Sequence, residues 1–162
     1  MTENYVLLPC YEGGELTKRV LTEIRKAGVP YRLLMLEDVG IPRCGLSRAK
    51  NMLIDWAFQD PECKYLVVLS NDAFQFPDNW LKLLIERMDY DPTIGAIAAG
   101  IMVDLGKGWG NYSPDGKLRW LPEDDPEWLC TFCDFPEFSP LTILSAEAVK
   151  AVAETYGWFD ER

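Results

Sequence analysis

The chain has 162 residues, with 26 acidic against 16 basic side chains, a net charge of −10 at pH 7, five cysteines and no histidine. The length suits one domain that buries about two-thirds of its unfolded surface, the acidic balance argues against broad nucleic-acid or anionic-membrane binding, and no apolar run approaches the ~20 residues of a membrane span. Without an imidazole, Ser-His-Asp and Cys-His nucleophiles, HExxH zinc hydrolases and every histidine acid/base mechanism are excluded.

The opening MTENYVLLPC has no basic segment and only a short apolar run, so no secretory signal is read and a cytoplasmic protein is expected. Tyr5 to Leu8 reads as a first core strand, with Pro9 to Gly14 as the loop after it. Leu16, Val20, Leu21, Ile24 and Ala27 then recur at helical spacing, with Lys18, Arg19, Glu23 and Lys26 on the outer face and Gly28 and Pro30 as the stop. Tyr31 to Leu36 is the second strand and Glu37-Asp38 lies at its end. After a loop over Val39 to Cys44, a second helix takes Leu46, Ala49, Leu53, Trp56 and Ala57 inward and stops near Asp60-Pro61. Tyr65 to Leu69 is an unbroken apolar run too short for a typical helix, which predicts a third strand buried on both faces. Ser70-Asn71-Asp72 follows it, and Pro77 opens a third helix with Leu81, Leu84, Ile85 and Met88 inward.

An alternation of this kind predicts an α/β fold, a mainly parallel sheet with right-handed crossovers and helices on both faces. Ile94 to Val103 is expected as the fourth strand. From Asp104 to Asp134 no helical period survives; the stretch holds Trp109, Trp120 and Trp128, and long loops of this kind are functional or mobile. Within it Leu118 to Trp120 reads as a short antiparallel strand after a turn at Ser113 to Gly116. Phe138 to Leu144 returns to the sheet, and Ser145 caps a last helix with Val149, Val152, Ala153 and Tyr156 on one face and Gly157 at its end. The expectation is one domain, with a nucleotide-binding half over about 1–103 and a loop-rich acceptor half over about 104–162.

Three predicted strand ends carry acids: Glu12, Glu37-Asp38 and Asp72. In a parallel sheet these ends share one edge, where ligands of open α/β folds sit. Each acid alone is more ordinarily a solvated loop residue; the three together point to a nucleotide and metal site. Arg48 and Lys50 near the start of the second helix suit a diphosphate, because helix N-termini favour anions, although a solvated helix face accounts for them equally well. Cys130-Thr131-Phe132-Cys133 has CxxC spacing but no partner pair, so two ordinary thiols are expected there. The odd, scattered set of Cys10, Cys44, Cys63, Cys130 and Cys133 fits reduced thiols. Gly106-Lys107-Gly108-Trp109-Gly110 matches neither a dinucleotide fingerprint nor a Walker loop and reads as a flexible loop.

Taken in order, LLPCYEGGELTKRVL, LLMLEDVG, GLSRAKNMLIDWA (with Gly45, Arg48 and Asn51), KYLVVLSNDAFQFPDNWLKLL and SAEAVKAVAETYGWFDER resemble successive segments of the family 2 glycosyltransferases of the GT-A fold. The resemblance runs through most of the chain and implies a GT-A-like (Rossmann-like) domain. It implies transfer of a sugar from a nucleotide-diphosphate sugar, a UDP- or dTDP-sugar, to an acceptor hydroxyl of a carbohydrate or glycan, assisted by Mn²⁺ or Mg²⁺. On this likeness Pro9, Tyr11, Glu12 and Asp38 border the base and ribose, Arg48 the phosphates, and Asn71 the donor, with Asp72 as the metal ligand. Two departures stand out. Ser70 replaces the first acid of the family's Asp-x-Asp motif. The acidic pair that carries the family's general base lies beyond the Gly-aromatic-Asp-Glu segment, whereas this sequence ends at Arg162, so Asp134, Glu137, Asp160 and Glu161 are the candidate bases and full activity is expected to need a partner or a longer chain. One alternative is a degenerate, non-catalytic nucleotide-sugar-binding domain. Another is a sugar-phosphate nucleotidyltransferase, against which counts the lack of a Gly-rich, Lys/Arg-bearing loop after the first strand.

Overall fold

Every residue from Tyr5 to Cys10 is buried, and alternate side chains go to opposite cores. Val6, Leu8 and Cys10 pack with Val20 and Ile24, whereas Tyr5 and Leu7 pack with Leu53, Ile54 and Ala57. A strand covered on both faces can be apolar throughout, which is why the run shows no alternation. The structure, a computed structural model, describes residues 3–10, 13–37, 44–73, 76–98, 103–104, 109–112, 118–120 and 141–156.

The elements in chain order are β1 (Asn4–Cys10), α1 (Glu15–Ile24), β2 (Arg32–Glu37), α2 (Leu46–Ala57), β3 (Tyr65–Leu69), α3 (Trp80–Tyr90), β4 (Ala96–Ala98), β5 (Val103–Asp104), β6 (Trp109–Tyr112), β7 (Leu118–Trp120), β8 (Leu141–Ser145) and α4 (Ala146–Tyr156). The central sheet runs β2-β1-β3-β8-β4, with β1 parallel to β2 and β3, and β8 antiparallel to both β3 and β4. Val6 pairs with Val67 and Leu7 with Leu34, as the apolar runs predict. Residues of α1 and α3 (Val20, Ile24, Leu81, Met88) fill the core on one face of the sheet; α2 and the first residue of α4 (Leu53, Ile54, Ala57, Ala146) fill the other. This is the expected class, an α/β fold on a mainly parallel sheet with helices on both faces. A second, antiparallel sheet has the order β5-β6-β7, and its β7 is the short antiparallel strand read at Leu118 to Trp120.

Several boundaries differ from the sequence reading. The first strand extends through Pro9 and Cys10, because Pro9 pairs with Leu36 on the β2 side while the β1–β3 pairing ends at Leu7 opposite Val68; a proline is tolerated where one side of the ladder has stopped. Leu16, Leu46, Trp56 and Val152, all expected inward, are 45%, 54%, 42% and 56% exposed. Thr17 and Asn51 are buried in their helices instead. Pro77 does not open α3, which begins at Trp80 after Asn79 in a left-handed conformation (φ 63°). The run from Ile94 to Val103 is not one strand: Ala96–Ala98 pairs with β8, and Val103 pairs with Gly110 in the second sheet. Trp109 and Gly110, read as part of a flexible loop, lie in β6. Ser145 does cap the last helix, its Oγ accepting the Ala148 N–H at 3.3 Å. The turn at Ser113 to Gly116, the stop at Gly157 and the Cys130/Cys133 pair lie outside the described residues.

Two hydrogen-bonded clusters close the amino edge of the sheet. Tyr5 Oη donates to Asp60 Oδ2 at 2.6 Å, and Arg32 reaches both the Tyr5 hydroxyl (2.8 Å) and Asp60 (2.9 Å) while its guanidinium lies over the Tyr5 ring. Asp89 Oδ1 accepts from Tyr65 Oη at 2.6 Å and from Lys64 Nζ at 2.8 Å. Each ties the start of a strand to the end of a helix or the turn after it. Asp60 follows α2, so α2 ends at the amino edge and begins at the carboxyl edge.

Candidate functional site

β1 sends its first crossover to β2 on one side and the chain then returns through α2 to β3 on the other, so the strand order reverses between β1 and β3. Outside the carboxyl ends of two such strands the loops diverge and leave a crevice, the usual ligand position of open α/β sheets. Cys10 is paired with Glu37 at that edge. Carried two residues past its last pair, the β1–β3 register sets Ser70 level with Pro9. Leu141, paired with Leu69, brings the start of β8 to the same place.

On the β3 side, Ala73 N–H donates to Ser70 O at 3.2 Å and closes a turn whose last side chain, Ala73, is 4% exposed. Asn71 is half-buried within the turn and Asp72 exposed. The Ser70 hydroxyl donates to Asp72 Oδ1. The sequence reading treated Ser70 only as a lost carboxylate; the Ser-x-Asp spacing is the signal that would have identified it as a donor to Asp72. Among the described residues no group of three or more His, Cys, Asp or Glu is placed to hold a metal; the Ser70–Ala73 turn itself offers the Asp72 carboxylate and the hydroxyl bonded to it.

At the same edge α2 starts from Gly45 at φ 84°, an N-cap that has no side chain to offer its first turn. Arg48, in that turn, is exposed. The N–H groups of a first helical turn and the positive end of the helix dipole favour an anion. Lys50 is half-buried and burial pushes its ammonium pKa down, so of the two cations Arg48 is the one held in solvent. Asn51, the third residue of the resembling segment, is 5% exposed and packs within the fold rather than at the crevice rim.

Between the strands Glu37 Oε1 accepts the Gly13 N–H at 3.2 Å, joining the end of β2 to the start of the α1 turn. Among the described residues the acid that β2 brings to the edge is Glu37; Asp38, Tyr11 and Glu12 lie outside the described residues. The Cys10 thiol is pushed up by burial and by the Glu37 charge, with the Thr17 hydroxyl acting the other way. It is a neutral thiol at pH 7 and no nucleophile. Of the candidate base and donor contacts, the structure brings Pro9, Arg48, Asn71 and Asp72 to this edge; the candidate general bases Asp134, Glu137, Asp160 and Glu161 lie outside the described residues.

Glu23 and Lys26, read as solvated residues of α1, are a second correction. Glu23 Oε2 accepts the Phe76 N–H at 2.8 Å and Lys26 Nζ at 2.9 Å, and its side chain is 16% exposed. Period alone cannot separate an outer-face acid from one that reaches a neighbouring loop.

Cys10, Cys44 and Cys63 are free thiols. Among the described residues no helix is long and apolar enough to cross a membrane. No protein-family model and no curated protein matches the chain. Among solved structures it is similar to the crystal structure of 4-diphosphocytidyl-2C-methyl-D-erythritol synthase from Anaerococcus prevotii DSM 20548, with a TM-score of 0.48 and 7% identity, covering 96% of this chain and 76% of that one. At such identity the likeness is one of chain path and carries no residue role from one protein to the other.

Proposed function

We propose that the chain binds a nucleoside-diphosphate sugar across the carboxyl ends of β1 and β3 and transfers the sugar to an acceptor hydroxyl of a carbohydrate or glycan. The observation that supports this most is the placement of the Asp72 turn and the Arg48-bearing start of α2 on the same edge of the sheet, beside its switch point. In this reading the α2 N–H groups and Arg48 take the diphosphate, while Pro9 and Glu37 border the nucleoside, with Tyr11, Glu12 and Asp38 assigned there by the resemblance. A single carboxylate with a neighbouring hydroxyl fits a hard, oxygen-seeking divalent cation that draws its remaining ligands from phosphate and water. Mn²⁺ or Mg²⁺ bound at Asp72 would neutralise charge on the leaving diphosphate.

The test is calorimetry of UDP with and without Mn²⁺ on wild type and Asp72→Asn. Mn²⁺ is expected to tighten UDP binding to the wild type by about tenfold or more, because two like charges at contact distance repel strongly without it, and to have little effect on Asp72→Asn. Equal UDP affinity in all four titrations would show that Asp72 is a solvated loop acid. A second reading, a nucleotide-sugar-binding domain without turnover, is favoured by the Ser70–Asp72 bond, which engages one oxygen of the carboxylate in a site where Ser70 and Asn71 are neutral. Mn²⁺-dependent UDP binding with neither hydrolysis nor transfer from UDP-sugars would select it.

A further inference from the structure

The connection that carries Asp72 is held at a second point, Phe76, three residues beyond the turn. Both backbone polar groups of Phe76 meet the Glu23–Lys26 ion pair at the carboxyl end of α1. Its N–H donates to Glu23 Oε2 at 2.8 Å; Lys26 Nζ, 2.9 Å from the same oxygen, reaches the Phe76 carbonyl at 3.4 Å. The Phe76 ring packs against Trp80, centroid to centroid 5.1 Å. Asn79 N–H then bonds Lys26 O at 2.7 Å and Lys82 N–H bonds Ala27 O at 3.1 Å. A carboxylate as withdrawn as Glu23 is costly unless paired, and the loop amide and Lys26 supply the partners.

We propose that Glu23 is a positioning residue for Asp72: with Lys26 it fixes the loop at Phe76, so that the Asp72 turn is strung between two fixed points, the end of β3 and Phe76. This rests on the reading of Asp72 as the contact for metal and diphosphate. A loop tethered at both ends has less freedom to lose when ligand binds; release of one tether moves that ordering loss into the binding step and lowers affinity without removing a ligand contact. The tether is a charge-assisted hydrogen bond, so its loss corresponds to roughly tenfold in an equilibrium constant.

The experiment compares wild type, Glu23→Ala, Glu23→Gln and Lys26→Met by amide hydrogen exchange without ligand, and by UDP titration in Mn²⁺. Glu23→Ala is expected to speed exchange at Phe76 and through residues 70–79 by about tenfold while Leu66 to Leu69 stay protected, and to weaken Mn²⁺-dependent UDP binding by about the same factor. Glu23→Gln, which keeps an acceptor for the Phe76 amide, is expected to restore most of both; Lys26→Met, which keeps the carboxylate, should fall between and serves if the alanine variant does not fold. Unchanged loop exchange, faster exchange throughout including β3, or a loosened loop with unchanged UDP affinity would each overturn the positioning role. The wild-type titration judges the site reading separately: if it shows no Mn²⁺-dependent UDP binding, that reading fails and the positioning role fails with it.

Discussion

Asp72 stands in solvent on a turn, and the Ser70 hydroxyl is bonded to one of its oxygens. A neutral hydroxyl at that position orients the carboxylate but adds no charge, and the charge count of the ligands sets much of a hard cation's affinity. Ser70→Asp is therefore expected to tighten Mn²⁺ binding in the absence of nucleotide by about tenfold; calorimetry with metal alone reads this directly, and an affinity equal to wild type would remove Asp72 from the metal site. The thiols give a second residue-level test. Burial pushes Cys63 up to about 11, with Asp60 adding to the shift and Lys150 opposing it, and Cys10 is also raised by burial. Alkylation at pH 8 should leave Cys10 and Cys63 unmodified while half-buried Cys44 reacts, as peptide mass mapping would show; rapid labelling of Cys63 would mean that this core opens readily. At this scale the sequence was readable in part. The positions of Asp72 past a strand end and of Arg48 at a helix start are legible in the sequence, whereas Glu23 and Ser70 take their meaning from a neighbouring loop and a neighbouring side chain, and nothing in helical period or loop composition marks that.

Strands and helices were legible where a run of apolar residues has only one way to be buried. β1 and β3 are covered on both faces; β3 reads so from its sequence, and β1 reads as a core strand. Each expected helix is present, but the rims of the apolar stripes differ: Leu46 and Trp56 lie far enough round α2 to face solvent, and the buried place goes to Ile54 and Asn51. The start of α3 was misplaced for a physical reason. Proline at 77 fits a first helical turn, but backbone bonds from Asn79 and Lys82 to the end of α1 hold that stretch out of the helix. That junction depends on Gly28, at φ 77°, whose added Cβ would lie 2.8 Å from Asn79 Cα. Gly28→Ala is expected to cost about 1–3 kcal/mol from the left-handed conformation alone, with more from the collision, and to lower Tm by several degrees or more. A thermal melt equal to wild type would show that α1 and α3 can separate there freely. The long run from Ile94 to Val103 divides between two sheets because small apolar residues specify burial but not a partner.

For the whole molecule, the edge clusters set the pH range of stability. Asp60 is held below the usual carboxylate range by the hydrogen bond from Tyr5, then by the Glu62 N–H and the Arg32 charge; Asp89 is held down by Lys64 and then Tyr65. Groups whose folded pKa is lowered contribute stability that is present above their unfolded value, near 3.9, and lost as pH falls through the folded value. On the alkaline side burial, then the bonded carboxylate, raises Tyr5 and Tyr65, and Asp89 raises Lys64. Their contribution is full below the unfolded values near 10 and is lost as pH rises through the folded ones. Thermal melts across pH should accordingly fall off below about pH 4 and above about pH 10, and Asp60→Asn should flatten the acid limb. An acid limb as steep in Asp60→Asn as in the wild type would remove this cluster as a cause.

The amino edge, where Tyr5, Asp60, Arg32, Lys64, Tyr65 and Asp89 interlock, also divides the chain's tolerance of mutation. Substitution there breaks several bonds at once and would be recorded as lost folding. At the opposite edge Arg48 and Asp72 are exposed, and exposed side chains can be exchanged at little cost in stability. On the proposed function, drift in the sequence is thus free to explore new ligands at one end of the strands while the other end keeps the architecture, so a change of specificity need not pass through an unfolded intermediate form.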